Sequence, residues 1–383
     1  MLRLWKAIAR TLCAAVLVAT GLAAPAADAA VDAAAADLPR WAWAVVRGGS
    51  APTVSYQFGT WASGLKADAT AGDPGQVLVR FPQLGVAAGG VAHVTAISSS
   101  ADWCQVQNQL PSGDDLIVAV RCHRYGVGPV ATPWFSVVFG YGGRYPSPMP
   151  YQALGYVRWD GSAVATQFNS SQIKSPAPAP VNTVTPGTSP GLWRVTLPGL
   201  GSAGLAGSIQ VTAVDPAVPT RCKLGGWTAT TAAQNITVRC HDAAGAPLNT
   251  GWNLTYHRES AVVWAPIAPY AASAYTFDNA PDTAAPYVPT PYPVSYNSVP
   301  GGLQISGYGT GLRRVSFGDV NAGYGYPGNV QVTAFGYGAE FCNLYGNWTE
   351  GLSTGVVSIT HACYDGATRV AHPATVTYVT RPR

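Results

Sequence analysis

Six of the seven cysteines in this chain stand in three pairs: Cys104 with Cys122, Cys222 with Cys240, and Cys342 with Cys363. Thiols in such numbers serve disulfides, metal binding or nucleophilic chemistry, and spacing discriminates among these. Tetrahedral zinc recruits four side chains at close C-x-x-C spacings, and the sequence has none. Cys122-His123 and Cys240-His241 are adjacent, but neighbours on a strand point to opposite faces. The pairs therefore read as three disulfides, and no metal is expected. Two Gly-x-Ser-x-Gly strings, at 187–191 and 351–355, raise the question of a nucleophile elbow, which needs a strand before the serine and a helix after it. The first lies in a Pro-rich stretch, and the second runs into the strand pattern Val356 to Ile359. Two G-x-G-x-x-G strings (Gly199, Gly201, Gly204 and Gly323, Gly325, Gly328) precede Val-Thr-Ala strands. A phosphate cradle would open a helix instead, so both read as tight β-connections. The glutamates are Glu259, Glu340 and Glu350, and nothing pairs two carboxylates across a glycosidic bond. No catalytic residue and no cofactor is expected, and the chain reads as a non-enzyme.

The elements that carry these residues are strands. Gly 43 and Pro 31 in 383 residues oppose long helices. At 48% hydrophobic the chain is too apolar for disorder. Val118, Val120 and Cys122 alternate with Ile117, Ala119 and Arg121, and Ile236, Val238 and Cys240, and Val357, Ile359, His361 and Cys363, follow the same period. Period two is the strand period, and it turns each second cysteine toward a core. Residues 1–30 read as a secretory signal peptide: Arg3, Lys6 and Arg10, an apolar run from Leu12 to Ala23, then Ala27-Asp28-Ala29. Its removal lowers the formal charge from +4 to +2, too near neutral for nucleic acid or an anionic membrane as partner. A secreted, extracellular location with no membrane attachment after cleavage is expected, and an oxidising compartment suits the disulfides.

The text repeats three times. His93-Val94-Thr95-Ala96 matches Gln210-Val211-Thr212-Ala213 and Gln331-Val332-Thr333-Ala334. Val120-Arg121-Cys122-His123 matches Val238-Arg239-Cys240-His241. Tyr56 to Gly59 matches Thr166 to Asn169, and Tyr275 to Asp278 is taken as the third copy. The expected fold is all-β: three tandem immunoglobulin-like β-sandwich repeats at 41–142, 152–259 and 260–383, with one disulfide each. Each is long enough for its own core, and they are expected as beads on a string. The Pro-rich stretches Pro176 to Pro190 and Pro281 to Pro300 are taken as equivalent surface loops.

These residues resemble a family of uncharacterised secreted multi-copy β-repeat proteins frequent in actinobacteria. The second unit carries the resemblance best, through Val195 to Leu200, Gln210 to Ala213, Cys222-Lys223, Trp227, Ile236 to Cys240 and Gly245-Ala246-Pro247. The first unit has Gln109 where that pattern has a Trp, and the third has His361-Ala362 before its second Cys. The resemblance implies fold and export and brings no activity with it.

The aromatics remain. Trp 12 and Tyr 19 can pack a core or present faces that stack on sugar rings. Tyrosines flanked by Pro and Gly are the candidate ligand-binding set: Tyr287, Tyr292, Tyr296, Tyr308, Tyr324 and Tyr326. The functional expectation is a non-catalytic, multivalent binding or adhesion protein of the cell envelope or extracellular space, with polysaccharide as preferred partner. The alternatives are a protein-binding, inhibitor-like role, a structural spacer and, last, a secreted hydrolase built from the long loops.

Overall fold

Alternation of β-branched with polar residues, cut by Gly and Pro at turns, produces short antiparallel strands. A computed structural model describes residues 38–87, 89–131, 134–143, 152–171, 181–263, 272–290, 294–321, 327–351 and 354–380. The signal-peptide reading at 1–30 lies outside them. The first unit contains β1 (Arg40–Arg47), β2 (Thr53–Gly59), β3 (Asp68–Ala71), β4 (Gln76–Phe81), β5 (Val91–Ile97), β6 (Asp102–Ser112), β7 (Asp115–Arg124), β8 (Gly128–Pro129) and β9 (Trp134–Tyr141). The second contains β10 (Ala153–Trp159), β11 (Val164–Asn169), β12 (Thr183–Pro186), β13 (Leu192–Pro198), β14 (Ser208–Val214), β15 (Thr220–Ala229), β16 (Ala233–Asp242) and β17 (Gly251–Arg258). The third contains β18 (Ser273–Asp278), β19 (Tyr296–Asn297), β20 (Leu303–Gly309), β21 (Leu312–Phe317), β22 (Asn329–Ala334), β23 (Phe341–Leu344), β24 (Thr349–Glu350), β25 (Val357–Asp365), β26 (Thr368–Val370) and β27 (Ala374–Val379).

Strand order is the same in each unit. An inner run, β2-β1-β9-β5, β11-β10-β17-β14 or β19-β18-β27-β22, faces an outer run, β3-β4-β7-β6, β12-β13-β16-β15 or β20-β21-β25-β23. Core side chains come from both runs: Val79, Val118, Phe135 and Val137 in the first unit, Val195, Ile236, Trp252 and Leu254 in the second, and Val315, Ile359 and Val376 in the third. The expected disulfides are present, Cys104–Cys122, Cys222–Cys240 and Cys342–Cys363. Each joins directly opposed residues of adjacent strands in one outer run. An immunoglobulin disulfide spans two sheets instead.

Two sequence matches need correcting. Tyr275 to Asp278 lies on β18, which pairs with the closing strand β27. The third-unit counterpart of β2 and β11 is Tyr296-Asn297. Asn169 and Asn297 do the same work: Asn169 Nδ2 donates to the Pro198 carbonyl at 2.7 Å and Asn297 Nδ2 to the Gly318 carbonyl at 2.7 Å. A Tyr-x-Phe word fits either of two neighbouring strands, so the word alone cannot place it. For the same reason the Pro-rich stretches are not equivalent. Pro176 to Pro190 spans the link between β11 and β12 and includes β12, whereas Pro281 to Pro300 spans the link between β18 and β19 and includes β19.

The beads-on-a-string expectation is overturned. Residues 37–383 form one compact unit. The first unit's β5 pairs with β23 of the third, and the second unit's β14 pairs with β6 of the first, both parallel. Phe335, just beyond β22, bridges Leu224 of β15, also parallel. The contacts permute: Ser98 N donates to Leu344 O at 2.8 Å, Asp215 N to Val106 O at 3.0 Å, and Gly336 N to Leu224 O at 2.8 Å. Three units thus close a ring.

Where β5, β14 and β22 meet, the recurring threonines interlock. Thr95 Oγ1 accepts the amide of Val332 at 3.1 Å and donates to Gln331 Oε1 at 2.9 Å. Thr333 Oγ1 accepts Val211 N at 3.1 Å and donates to Gln210 Oε1 at 2.8 Å. Thr212 Oγ1 accepts Val94 N at 3.4 Å and lies 3.1 Å from His93 Nδ1. Buried polar groups persist only when partnered, and here each partner belongs to the next unit.

Candidate functional site

The outer run of the second unit holds a groove of about 480 Å³. Alternation builds it: Trp193, Val195, Ile236 and Val238 turn inward to the core, so Arg194, Thr196, Asn235 and Thr237 turn outward. Arg194 opposes Thr237 and Thr196 opposes Asn235 across the ladder, and Thr196 Oγ1 donates to Asn235 Oδ1 at 3.2 Å. Thr185 from β12 and Thr228 from β15 add two exposed hydroxyls. A bulge in β15 places Gly225 and Gly226 in the floor. Glycine is required at Gly225: a Cβ there would stand 2.7 Å from Cγ of Arg239. The far wall belongs to the third unit. Tyr337, 69% exposed, lies with its ring 5.0 Å from the Arg239 guanidinium, and that guanidinium also donates to the Tyr337 carbonyl. The polar lining is hydroxyls, an amide and Arg194, with no carboxylate, and Tyr337 joins Trp227, Phe335, Val195 and Ile236 as its apolar part.

The third unit repeats this face in register. Arg314 opposes Thr360 and Ser316 opposes Ser358, and the Arg314 guanidinium lies 3.5 Å from the ring of Tyr308, which is 51% exposed. The first unit does not. There Leu78 opposes Ala119, and Arg80 opposes Ile117. Arg80 is bound to Asp68 and Asp115. Segment 215–218 of the second unit crosses β6, receiving Gln105 Nε2 at Asp215 O and Gln107 Nε2 at Pro216 O.

No family model, curated protein or solved structure matches the chain. Site and fold therefore speak through their own chemistry. The disulfides suit an oxidising, extracellular environment. No helix among the described residues is long and apolar enough to cross a membrane.

Two clusters rich in titratable groups lie elsewhere. Beside the axis, Lys223 Nζ donates to Glu340 Oε2 at 2.9 Å and lies 3.2 Å from His372 Nε2. Burial pushes the Lys223 ammonium below its ordinary pKa against the pull of Glu340, and burial pushes His372 down to about 4. Burial works against ionising Glu340, but the Lys223 ammonium outweighs it and holds that carboxyl below the usual range. Arg221 lies 5.1 Å from the ring of Trp103 and 4.7 Å from that of Phe341, one residue from each unit. The axial cavity they line is about 50 Å³, room for a few waters. This cluster fastens units together. The second cluster, Asp278, Arg313 and His361, is fully buried in the third unit. Arg313 Nε donates to Asp278 Oδ2 at 2.8 Å, and Arg313 also holds the carbonyls of Ala280 and Thr283. It pins the loop after β18. The apolar positions Val77 and Val120 of the first unit correspond to Arg313 and His361 by register.

Of the tyrosines chosen from sequence, the three described ones have separate surroundings. Tyr287 donates its hydroxyl to Asp278 Oδ1 at 2.7 Å, a loop anchor. Tyr296 stacks on Tyr275 at 5.4 Å. Tyr308 is exposed beside Arg314. Tyr292, Tyr324 and Tyr326 lie outside the described residues. Sequence reasoning passed over Arg194, Thr196, Thr237 and the Gly225-Gly226 floor. Their signal was available: they are the polar half of the alternation whose apolar half identified the core. Gly187 to Gly191 turns β12 into β13, with Gly187 N donating to Leu192 O at 2.7 Å, so no helix follows Ser189. His123 stacks on Trp103 at 5.4 Å.

Proposed function

We propose that this protein is a secreted, non-catalytic binding protein of the cell envelope or extracellular space that holds a polysaccharide in the outer groove of its second unit. The reading takes the three units as tandem immunoglobulin-like repeats of the family the sequence resembles. One observation carries it: a glycine-floored groove combines hydroxyl and amide side chains with the exposed ring of Tyr337. Hydroxyl-bearing rings offer both hydrogen-bonding edges and apolar faces, and a tyrosine beside a strand face of hydroxyls and an amide meets both. The matching face around Tyr308 and Arg314 gives a second point of contact, so avidity favours a long repeating polymer over a single sugar.

The test is depletion of the oxidised protein on insoluble cell-wall material, chitin, cellulose and bare resin. Retention on a polymer and not on resin is expected, with Tyr337→Ala weakening it about tenfold, near 1.4 kcal/mol, at unchanged melting temperature. Retention on no polymer would leave a protein partner or a spacer as the function.

A further inference from the structure

We infer that the groove selects an acidic glycan, with Arg194 as the group that reads its charge. This rests on the polysaccharide reading above. Arg194 is exposed on β13, and its guanidinium makes no ion pair or hydrogen bond among the described residues. Other arginines on the outer runs are occupied. Arg80 holds Asp68 and Asp115, and Arg124 holds Asp102 at 2.7 Å. Arg313 holds Asp278, and Arg221 is clamped by rings. An unengaged guanidinium in a groove with no carboxylate is a complementary seat for an anion, and its planar fork matches a carboxylate better than any neutral group can.

The three units supply an internal control. The position of Arg194 holds Arg314 in the third unit and Leu78 in the first, by strand register. Opposite it stand Thr237, Thr360 and Ala119 respectively. Cation and hydroxyl occur together or not at all. A packing role would not couple them. A ligand that presents hydroxyls and carboxylates on one chain would, and a uronic-acid polymer does so.

The experiment measures affinity of the full, oxidised chain for polygalacturonate, alginate and hyaluronate, each beside its own methyl ester, with poly-glutamate as an acidic peptide. At low ionic strength at least one acid polymer should bind about tenfold tighter than its ester, and the difference should close as salt rises. Arg194→Gln should weaken the acid form about fivefold and leave the ester unchanged. Arg121→Gln, which removes the same charge from the first unit, should change neither. Equal binding of acid and ester by the unmodified protein overturns acid selection and leaves the polysaccharide reading standing. An Arg194→Gln protein that keeps full preference for the acid form removes Arg194 from the role. Poly-glutamate bound as tightly as the best glycan makes the ligand an acidic peptide and overturns the inference. Binding to none of these polymers, acid or ester, overturns acid selection, and the polysaccharide reading falls with it only if cell-wall material, chitin and cellulose also retain nothing.

Discussion

Thr333 and Thr237 are threonines on strands of neighbouring units, and their hydroxyls have opposite fates. Thr333 is buried on the axis, where its oxygen accepts Val211 N and its proton goes to Gln210. Thr237 lies half-buried in the groove, and its hydroxyl makes no hydrogen bond among the described residues. The arginines divide the same way, Arg221 enclosed by Trp103 and Phe341, Arg194 exposed and unengaged. At the axis the recurring threonine hydroxyls are used by the fold. In the groove the Thr237 hydroxyl and the Arg194 guanidinium are spare. Residue type does not separate assembly from recognition in this molecule; saturation of hydrogen-bonding capacity does.

The axis is therefore where acid should act, and the groove, which has no histidine, should be indifferent. Burial pushes His93 down to about 3, aided by the nearby His257, and pushes His123, His241, His257 and His372 down to about 4. The unfolded chain takes up these protons below about pH 6.5 and the folded chain does not. Stability is thus complete above that pH and is lost as pH falls toward 4, by about 1.4 kcal/mol per pH unit for each histidine. The urea midpoint should drop steeply between pH 7 and pH 5, and His93→Gln, the residue found at this place in the other two units, should flatten the drop. Equal midpoints at both pH values would mean the histidines meet water.

A smaller effect is expected from Lys223→Met, which leaves Glu340 without its cation between two units. The loss should be about 3 kcal/mol in urea unfolding at pH 7. Thr333→Val strands a buried amide and a buried amide oxygen, and about 2 kcal/mol should follow. The least effect belongs to Thr237→Val, within about 0.5 kcal/mol in stability, with any change appearing in polymer binding. If Thr237→Val proved as costly as Thr333→Val, the distinction between axis and groove would fail.

The division also explains what sequence could reveal. The core strands and the disulfides were readable because their signal is local: Val118, Val120 and Cys122 alternate in one short run, and each pair of cysteines brackets one hairpin. The ring was not. β5, β14 and β22 are buried on both faces, yet each carries polar residues at alternate positions, which on a half-buried strand would face water. Thr95, Thr212 and Thr333 read as solvent-side residues until a neighbouring unit covers them, and the covering residues lie more than a hundred positions away. Tyr337 was hidden for a related reason. It stands on a loop of one unit and completes a wall of another, so no window of text holds the site. The Arg313–Asp278–His361 cluster was visible only as an oddity, a His among core positions, because its partners come from three strands.

Closure of the ring also ties the edges of the units to one another. Each unit brings one edge that reaches forward and one that receives, and the three parallel contacts use them all. Removing one unit would leave one edge of each kind open to neighbouring molecules. The outer faces carry no such obligation, so they can change one unit at a time while the edges must change in pairs.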